Sequence, residues 1–186
     1  MNHSVSEITG ADCCSPATIR MFLQQAVDHY QRLVAFSFTL TLPYCKSMTD
    51  YRSLILRFHT EVWQRTGEYS WQRQQERRNS PPTLLRWIWG SLSAPECRMV
   101  LMMNLSTLDT GACAQRTENP VQVMSELLRE AWLKVAGAVL PGVSHITPVI
   151  LCRSDRRVFT ARACQLNAQV QAMARPVTTS RSGVTG

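Results

Sequence analysis

The chain has 186 residues, of which 45% are hydrophobic and 18% charged. This length is typical of one domain with a sizeable core, and the composition excludes both a disordered chain and a membrane protein, since no apolar run approaches the roughly 18 residues of a spanning helix. The formal net charge of +7 favours a polyanionic partner such as nucleic acid.

The positive charge is carried mainly by arginine and is concentrated near the C-terminus. Lys46 and Lys134 are the only lysines among the 20 basic residues. Residues 153–186 contain six arginines against one acidic residue, Asp155. Because the guanidinium group is planar and permanently charged, this segment is suited to binding phosphate groups.

The cysteines and histidines give no sign of a metal or disulfide framework. The seven cysteines form no C-x-x-C pair, the four histidines are scattered, and the first residues lack the pattern of a signal peptide. We therefore expect a cytoplasmic protein without a cofactor or a structural metal.

The first half of the chain predicts an arm, a helix, a strand and a second helix. Residues 1–14 show no period and are expected to form a flexible arm. Ser15-Pro16 opens a helix to about Tyr30, and alternating residues from Leu33 to Leu42 predict a strand. Ser47 to about Thr66 reads as a helix that ends at Gly67, followed by a long, exposed basic connection over residues 68–82.

The second half repeats this alternation of strands and helices. Two β-type runs, Thr83–Ser91 and Cys97–Leu105, are close enough for a hairpin, and a polar loop follows over residues 106–119. A helix from Asn119-Pro120 to about Gly137, a strand from His145 to Cys152 and a last helix from Arg156 to Ala174 complete a single α+β domain over residues 15–174. Residues 175–186 are expected to be a disordered tail.

Apart from the first and last helices, the predicted order is β-α-β-β-α-β. This is the ferredoxin-like split arrangement, an antiparallel sheet of four strands with the first and third at the centre. The extra N-terminal and C-terminal helices are additions to it. Because the arrangement hosts RNA-binding modules, sensors, enzymes and nucleases, it does not define a function.

Five short segments resemble a known family in their order and spacing: residues 33–43, Leu56-Arg57-Phe58, Leu85-Arg86-Trp87-Ile88-Trp89, Leu101-Met102-Met103-Asn104 and Glu130-Ala131-Trp132. Over roughly residues 28–170 the chain resembles the YagK/YfjJ C-terminal-domain family. These are prophage-encoded proteins similar to the replication initiators of filamentous phages and related to the HUH class of rolling-circle endonucleases. The resemblance implies an HUH/Rep-like fold.

The resemblance also implies where a nicking site would lie, and this sequence departs from the family there. The family's Pro-His-x-His, which holds a divalent metal, corresponds to Pro95-Glu96-Cys97-Arg98, and its attacking tyrosine falls near Gln165. No tyrosine follows Tyr69. We therefore expect a degenerate site at Glu96, Arg98 and Gln165, and a protein that is not an enzyme.

The resulting hypothesis is a mobile-element protein that binds single-stranded or hairpin DNA, or a replication or phage protein, without nicking. The candidate phosphate contacts are arginines of the basic connection and of the segment around the last helix: Arg73, Arg77, Arg78, Arg153, Arg156, Arg157 and Arg162.

Three alternatives remain at this stage. Phe36 and Phe38 on the first strand and Trp87 and Trp89 on the second could stack unpaired bases on an open sheet, although a core role is favoured. An RNA-binding module of this topology would use aromatic residues on the first and third strands, and the absence of any on the third counts against it. A protein-interaction module that titrates a host or phage factor needs no nucleic acid. An enzyme with a rebuilt site is the least favoured, and within the degenerate site Glu96 and Arg98 could form an ion pair.

Overall fold

In a computed structural model of the chain, a five-stranded sheet lies between two layers of helices. The structure describes residues 6–9, 16–45, 47–90, 96–108, 119–137 and 142–174. The predicted tail at 175–186 lies outside the described residues.

The strands are β1 (Ser6–Thr9), β2 (Arg32–Thr41), β3 (Arg86–Trp89), β4 (Glu96–Asn104) and β5 (Val143–Cys152). Their order across the sheet is β1-β3-β4-β2-β5. Strands β3, β4, β2 and β5 are antiparallel to their neighbours, whereas β1 is parallel to β3. The predicted α+β class with four antiparallel strands is therefore confirmed.

The first strand corrects the expectation of a flexible arm over residues 1–14. Ser6–Thr9 pairs in register with Arg86–Trp89, from Ser6 beside Arg86 to Thr9 beside Trp89. Backbone donors and acceptors on the edge of β3 are satisfied by this pairing, which no side-chain period in so short a segment reveals.

The helices are α1 (Pro16–His29), α2 (Met48–Gln75), α3 (Leu105–Leu108), α4 (Pro120–Ala136) and α5 (Arg156–Ala174). Helices α2 and α4 pack on one face of the sheet, and α1 and α5 pack on the other, so each face has its own apolar core. Strand β4 is apolar on both of its faces, so it needs a layer of helices on each side. Its residues from Met99 to Met103 are completely buried.

Helix α2 is longer than its sequence predicts. It begins after Ser47, whose hydroxyl accepts a hydrogen bond from the Asp50 N–H at 3.2 Å. It continues through Gly67 to Gln75 and so includes half of the predicted exposed connection. A glycine inside a helix costs about 1 kcal/mol relative to alanine, and the hydrogen bonds of Ser70 to the Ser80 carbonyl and of Arg73 to Tyr69 and Leu108 hold the following turns in the fold.

Helix α4 begins and ends where its sequence predicts. The Asn119 side chain accepts a hydrogen bond from the Val121 N–H, and Pro120 occupies the first turn. At the other end Gly137 adopts a left-handed conformation with φ of 64°, and its N–H donates to the Leu133 carbonyl.

The aromatic residues of β2 and β3 belong to the core. Phe36, Phe38, Trp87 and Trp89 are at most 4% exposed and face α2 and α4. In the described part of the chain, no helix is long and apolar enough to cross a membrane.

Candidate nucleic-acid interface

The two arginine-rich segments lie at the same end of the sheet, after helices that pack on opposite faces of it. Leu33, at the start of β2, pairs with both Asn104 and Leu151, so β4 and β5 finish at this end and the turn into α5 lies there. The C-terminal half of α2 reaches the same end, because Arg73 donates a hydrogen bond to the Leu108 carbonyl at 2.9 Å, in the short helix that follows β4. We call this region the basic end and define it by Arg77, Arg78, Arg153, Arg156 and Arg157.

Arg77 and Arg78 leave α2 through a tight turn that exposes both side chains. The Arg78 N–H donates to the Arg73 carbonyl at 2.8 Å and the Arg77 N–H donates to the Gln74 carbonyl at 3.0 Å, which is the hydrogen-bond pattern of a Schellman motif. Arg77 occupies the left-handed position of this motif, with φ of 60°. Arg78 forms an exposed ion pair with Glu76 at 3.3 Å.

Arg73 corrects the prediction that all three arginines of the connection contact phosphate. Its side chain is 3% exposed. One guanidinium nitrogen donates to the Tyr69 hydroxyl at 2.6 Å and to the Leu108 carbonyl at 2.9 Å. Arg73 lies on α2, which continues beyond its predicted end at Gly67. Its side chain joins α2 to α3 and does not face solvent.

Arg153 also has a structural role. Its Nε and Nη2 atoms both donate to the Val27 carbonyl, at 3.1 Å and 2.5 Å. Val27 lies in the last turn of α1, where carbonyls lack a partner within the helix and a positive charge is favourable. Arg153 therefore caps α1 and contributes to the basic end mainly through its charge.

Arg156 and Arg157 are the most accessible of the predicted contacts on α5. Both are exposed in its first turn, and neither forms an ion pair with another described residue. Arg162 lies elsewhere: its Nη1 donates to the Ile150 carbonyl at 3.1 Å, on the outer edge of β5. Arg156 and Arg157 are therefore exposed at the same end of the sheet as Arg77 and Arg78, whereas Arg162 contacts the edge of β5.

The predicted degenerate site lies at the opposite end of the sheet. Glu96 and Arg98 begin β4, whereas the basic end adjoins Asn104, about 25 Å away at the rise of a strand. Both side chains are exposed on the face that carries α1 and α5. No ion pair joins them in the described residues, so Glu96 and Arg98 form an exposed strand end and not the ion pair considered as one possibility from the sequence.

Gln165 does not join these two residues. It lines a small cavity of about 170 Å³ with Pro148, Val149 and Ile150 of β5, and β2 separates this strand from β4. Gln169, one turn further along α5, contacts β2: its Oε1 accepts a hydrogen bond from the Ser37 hydroxyl at 3.3 Å. The degenerate site predicted from the sequence is therefore divided between two places.

Neither a metal site nor a cysteine nucleophile is assembled in the described residues. No three His, Cys, Asp or Glu side chains there are grouped so as to hold a metal ion. Cys97 is 1% exposed. Burial raises the pKa of its thiol to about 12, so the reactive thiolate is rare at neutral pH.

Sequence reasoning found the arginines of the basic end but missed how they are held. The left-handed conformation of Arg77 has no signal in the sequence, since glycine is the usual residue there. The capping of α1 by Arg153 links residues 126 positions apart in the chain. The face of α2 that carries the hydrophobic stripe continues at helical spacing beyond Gly67 to Arg73, and this is the sequence signal that indicates a buried Arg73.

Comparison with known proteins gives a family and no function. A family model described as uncharacterised conserved protein UCP030791 matches residues 6–144, about three quarters of the chain. No curated protein and no solved structure matches the chain. The matched range runs from β1 to the start of β5. The chain therefore belongs to the uncharacterised conserved protein family UCP030791.

Proposed function

We propose that the protein binds DNA through the basic end and does not cut it. The observation that carries this proposal is that Arg77, Arg78, Arg156 and Arg157 are all exposed at the same end of the sheet. Glu76 and Asp155 are the neighbouring acids in sequence, so positive charge predominates. Guanidinium groups in such a cluster suit the closely spaced phosphates of a nucleic acid.

The conformation of Arg77 supports a functional role for its side chain. A residue other than glycine in the left-handed region costs about 1 kcal/mol or more, and Arg77 adopts a φ of 60° at the surface. Glycine would satisfy this turn without strain. An exposed arginine kept there is expected to contribute through its charge.

The absence of nicking is the second part of the proposal. We regard the protein as a relative of rolling-circle initiators encoded by a prophage or another mobile element, built on a ferredoxin-like unit in the cytoplasm. The antiparallel order β3-β4-β2-β5 and its two helix crossovers support that fold. The resemblance implies that Arg98 and Gln165 correspond to the initiators' metal-binding and attacking residues; the two lie apart in this fold, and neither side chain can perform those steps.

The burial of the aromatic residues argues against an RNA-binding module that stacks bases on its sheet. Such a module needs an open face, whereas here α1 and α5 cover one face and α2 and α4 cover the other. The aromatic side chains proposed for stacking lie under α2 and α4. Phosphate contacts from loops and helix ends require no open sheet.

The binding test uses fluorescence anisotropy with labelled single strands, hairpins and duplex DNA over a range of salt concentrations. Four phosphate contacts predict a slope of log K against log salt of about −3 for a single strand. Replacement of both Arg156 and Arg157 by alanine should reduce the magnitude of this slope by about 1.4 and lower the affinity at low salt.

The matched control is Arg129→Ala, an exposed arginine on α4 away from the basic end. It removes one positive charge and should change the slope little. Undetectable binding at about 50 mM salt, where phosphate contacts are strong, or equal binding by the Arg156/Arg157 variant, would refute the binding proposal. Metal-dependent cleavage of any of the three DNAs would refute the absence of nicking.

A further inference from the structure

An apolar groove runs between α1 and α5 on the surface. It encloses about 470 Å³, and Met21 on its α1 side is 65% exposed. Cys164 is exposed on its α5 side. The apolar residues lining it come from both helices and from β5: Leu23, Val27, Leu151, Phe159, Ala163 and Leu166. Leu23, Val27, Leu151 and Leu166 form the buried floor of the groove, so its accessible apolar surface comes from Met21, Phe159 and Ala163. Accessible apolar surface favours a contact with another protein surface.

The charged residues beside this groove form a line along α1. Arg20, Gln24 and Asp28 are four residues apart and therefore lie on one side of the helix. Gln24 Nε2 donates to Asp28 Oδ1 at 2.8 Å. Arg20 forms no ion pair with any other described residue. This line is positive at one end, negative at the other and centred on Gln24.

We propose that a second copy of the chain covers the groove in a two-fold symmetric dimer, with the two α1 helices antiparallel across an axis at Gln24. In a symmetric contact each residue meets the residue that lies equally far on the other side of the axis. Arg20 then faces Asp28 of the partner subunit, and Asp28 faces the partner's Arg20. The same arrangement gives two intersubunit ion pairs from one line of residues.

The apolar residues fit the same arrangement. Met21 lies three residues before Gln24, so it comes level with Val27 of the partner subunit, a residue that lines the partner's groove. The exposed methionine of each copy is thereby buried beside the partner's α1, and methionine adapts readily to an irregular surface. Because the chain carries a net charge of +7, the two ion pairs also offset repulsion between copies.

The test is a charge reversal and its rescue, measured by sedimentation equilibrium of the full chain without nucleic acid. Arg20→Asp places two acids opposite each other, and Asp28→Arg places two bases opposite each other. Each single variant should raise the dimer dissociation constant about tenfold. The double variant, with Arg20→Asp and Asp28→Arg, should return it close to the parent value, because the pairs are re-formed with opposite polarity.

Both substituted side chains are exposed, so the variants should fold, and thermal unfolding checks this. Arg129→Asp on α4 is the control for net charge and should leave the dissociation constant near that of the parent. A parent that stays monomeric at every concentration overturns the proposal and assigns the groove to a different protein. A dimer that ignores both single reversals, or that the double variant fails to restore, overturns it as well.

Discussion

The imidazole ring of His59 lies flat against the indole ring of Trp87, with ring centroids 4.0 Å apart and planes inclined by 13°. His59 is 2% exposed and Trp87 is completely buried between α2 and the sheet. Because burial disfavours the charged imidazolium, the pKa of His59 falls from 6.5 to about 3. The histidine is therefore neutral in the folded protein near neutral pH.

This lowered pKa predicts a loss of stability in mild acid. Between pH 6.5 and 3 the unfolded chain binds a proton at His59 and the folded chain does not, so the free energy of unfolding falls as the pH falls. From pH 7 to pH 5 the loss attributable to His59 should be about 2 kcal/mol. Urea unfolding at the two pH values measures it.

His59→Phe is the matched variant, because phenylalanine keeps a flat ring against Trp87 but does not titrate. The quantity to compare is the change in the free energy of unfolding between pH 7 and pH 5, not the stability of the variant at pH 7. In the variant this change should be smaller than in the parent by most of the roughly 2 kcal/mol given above. An equal acid sensitivity in the parent and the variant contradicts the lowered pKa.

Two glycines on helices should respond to alanine in opposite directions. Gly137 has φ of 64°, where a Cβ is strained, so Gly137→Ala should lower the free energy of unfolding by about 1 kcal/mol. Gly67 lies inside α2 with no atom within 4 Å of an added Cβ, so Gly67→Ala should raise it by about 0.5 to 1 kcal/mol. Chemical denaturation of both variants tests the pair, and a Gly67→Ala variant less stable than the parent contradicts the continuous helix.

The cysteines should differ sharply in their reaction with iodoacetamide. Cys164 is exposed, whereas Cys97 is buried and burial raises its pKa to about 12. At pH 8 in native conditions, and at a protein concentration low enough to keep the chain monomeric, peptide mass spectrometry should find Cys164 alkylated well before Cys97, because the thiolate is the nucleophile. Rapid labelling of Cys97, with Cys164 as the internal reference, places it at an accessible site and contradicts the buried β4.

Arg73 and Arg77 should have separable roles although they are only four positions apart in the chain. Arg73→Met removes hydrogen bonds to Tyr69 and Leu108 and should lower the free energy of unfolding by about 2 kcal/mol. Its affinity for DNA should equal that of the parent at a temperature where both are folded. Arg77→Gly should instead weaken DNA binding and keep or raise stability, since glycine relieves the left-handed conformation. Anisotropy and thermal unfolding of both variants measure the two effects, and an exchange of these outcomes contradicts the structure.

Local sequence signals were sufficient for most helices and strands. The cap at Asn119-Pro120 and the glycine at Gly137 locate α4, and the period of two in residues 33–42 locates β2 almost to the residue. The same kind of signal failed at Gly67, because the weak intrinsic preference of one glycine is overridden when the following turns are buried. Strand β1 was missed because pairing with β3, not its own pattern, makes it a strand.

The sequence by itself determined the α+β class, the core role of the aromatic residues of the strands, and an arginine-rich surface, because hydrophobic period and charge are properties of neighbouring residues. Only the tertiary structure decided which arginines are available at one end of the sheet. It buried Arg73, used Arg153 to cap α1, separated Glu96 and Arg98 from Gln165, and left Arg77, Arg78, Arg156 and Arg157 exposed at the same end. These are consequences of strand pairing between residues far apart in the chain, for which one sequence carries no local signal.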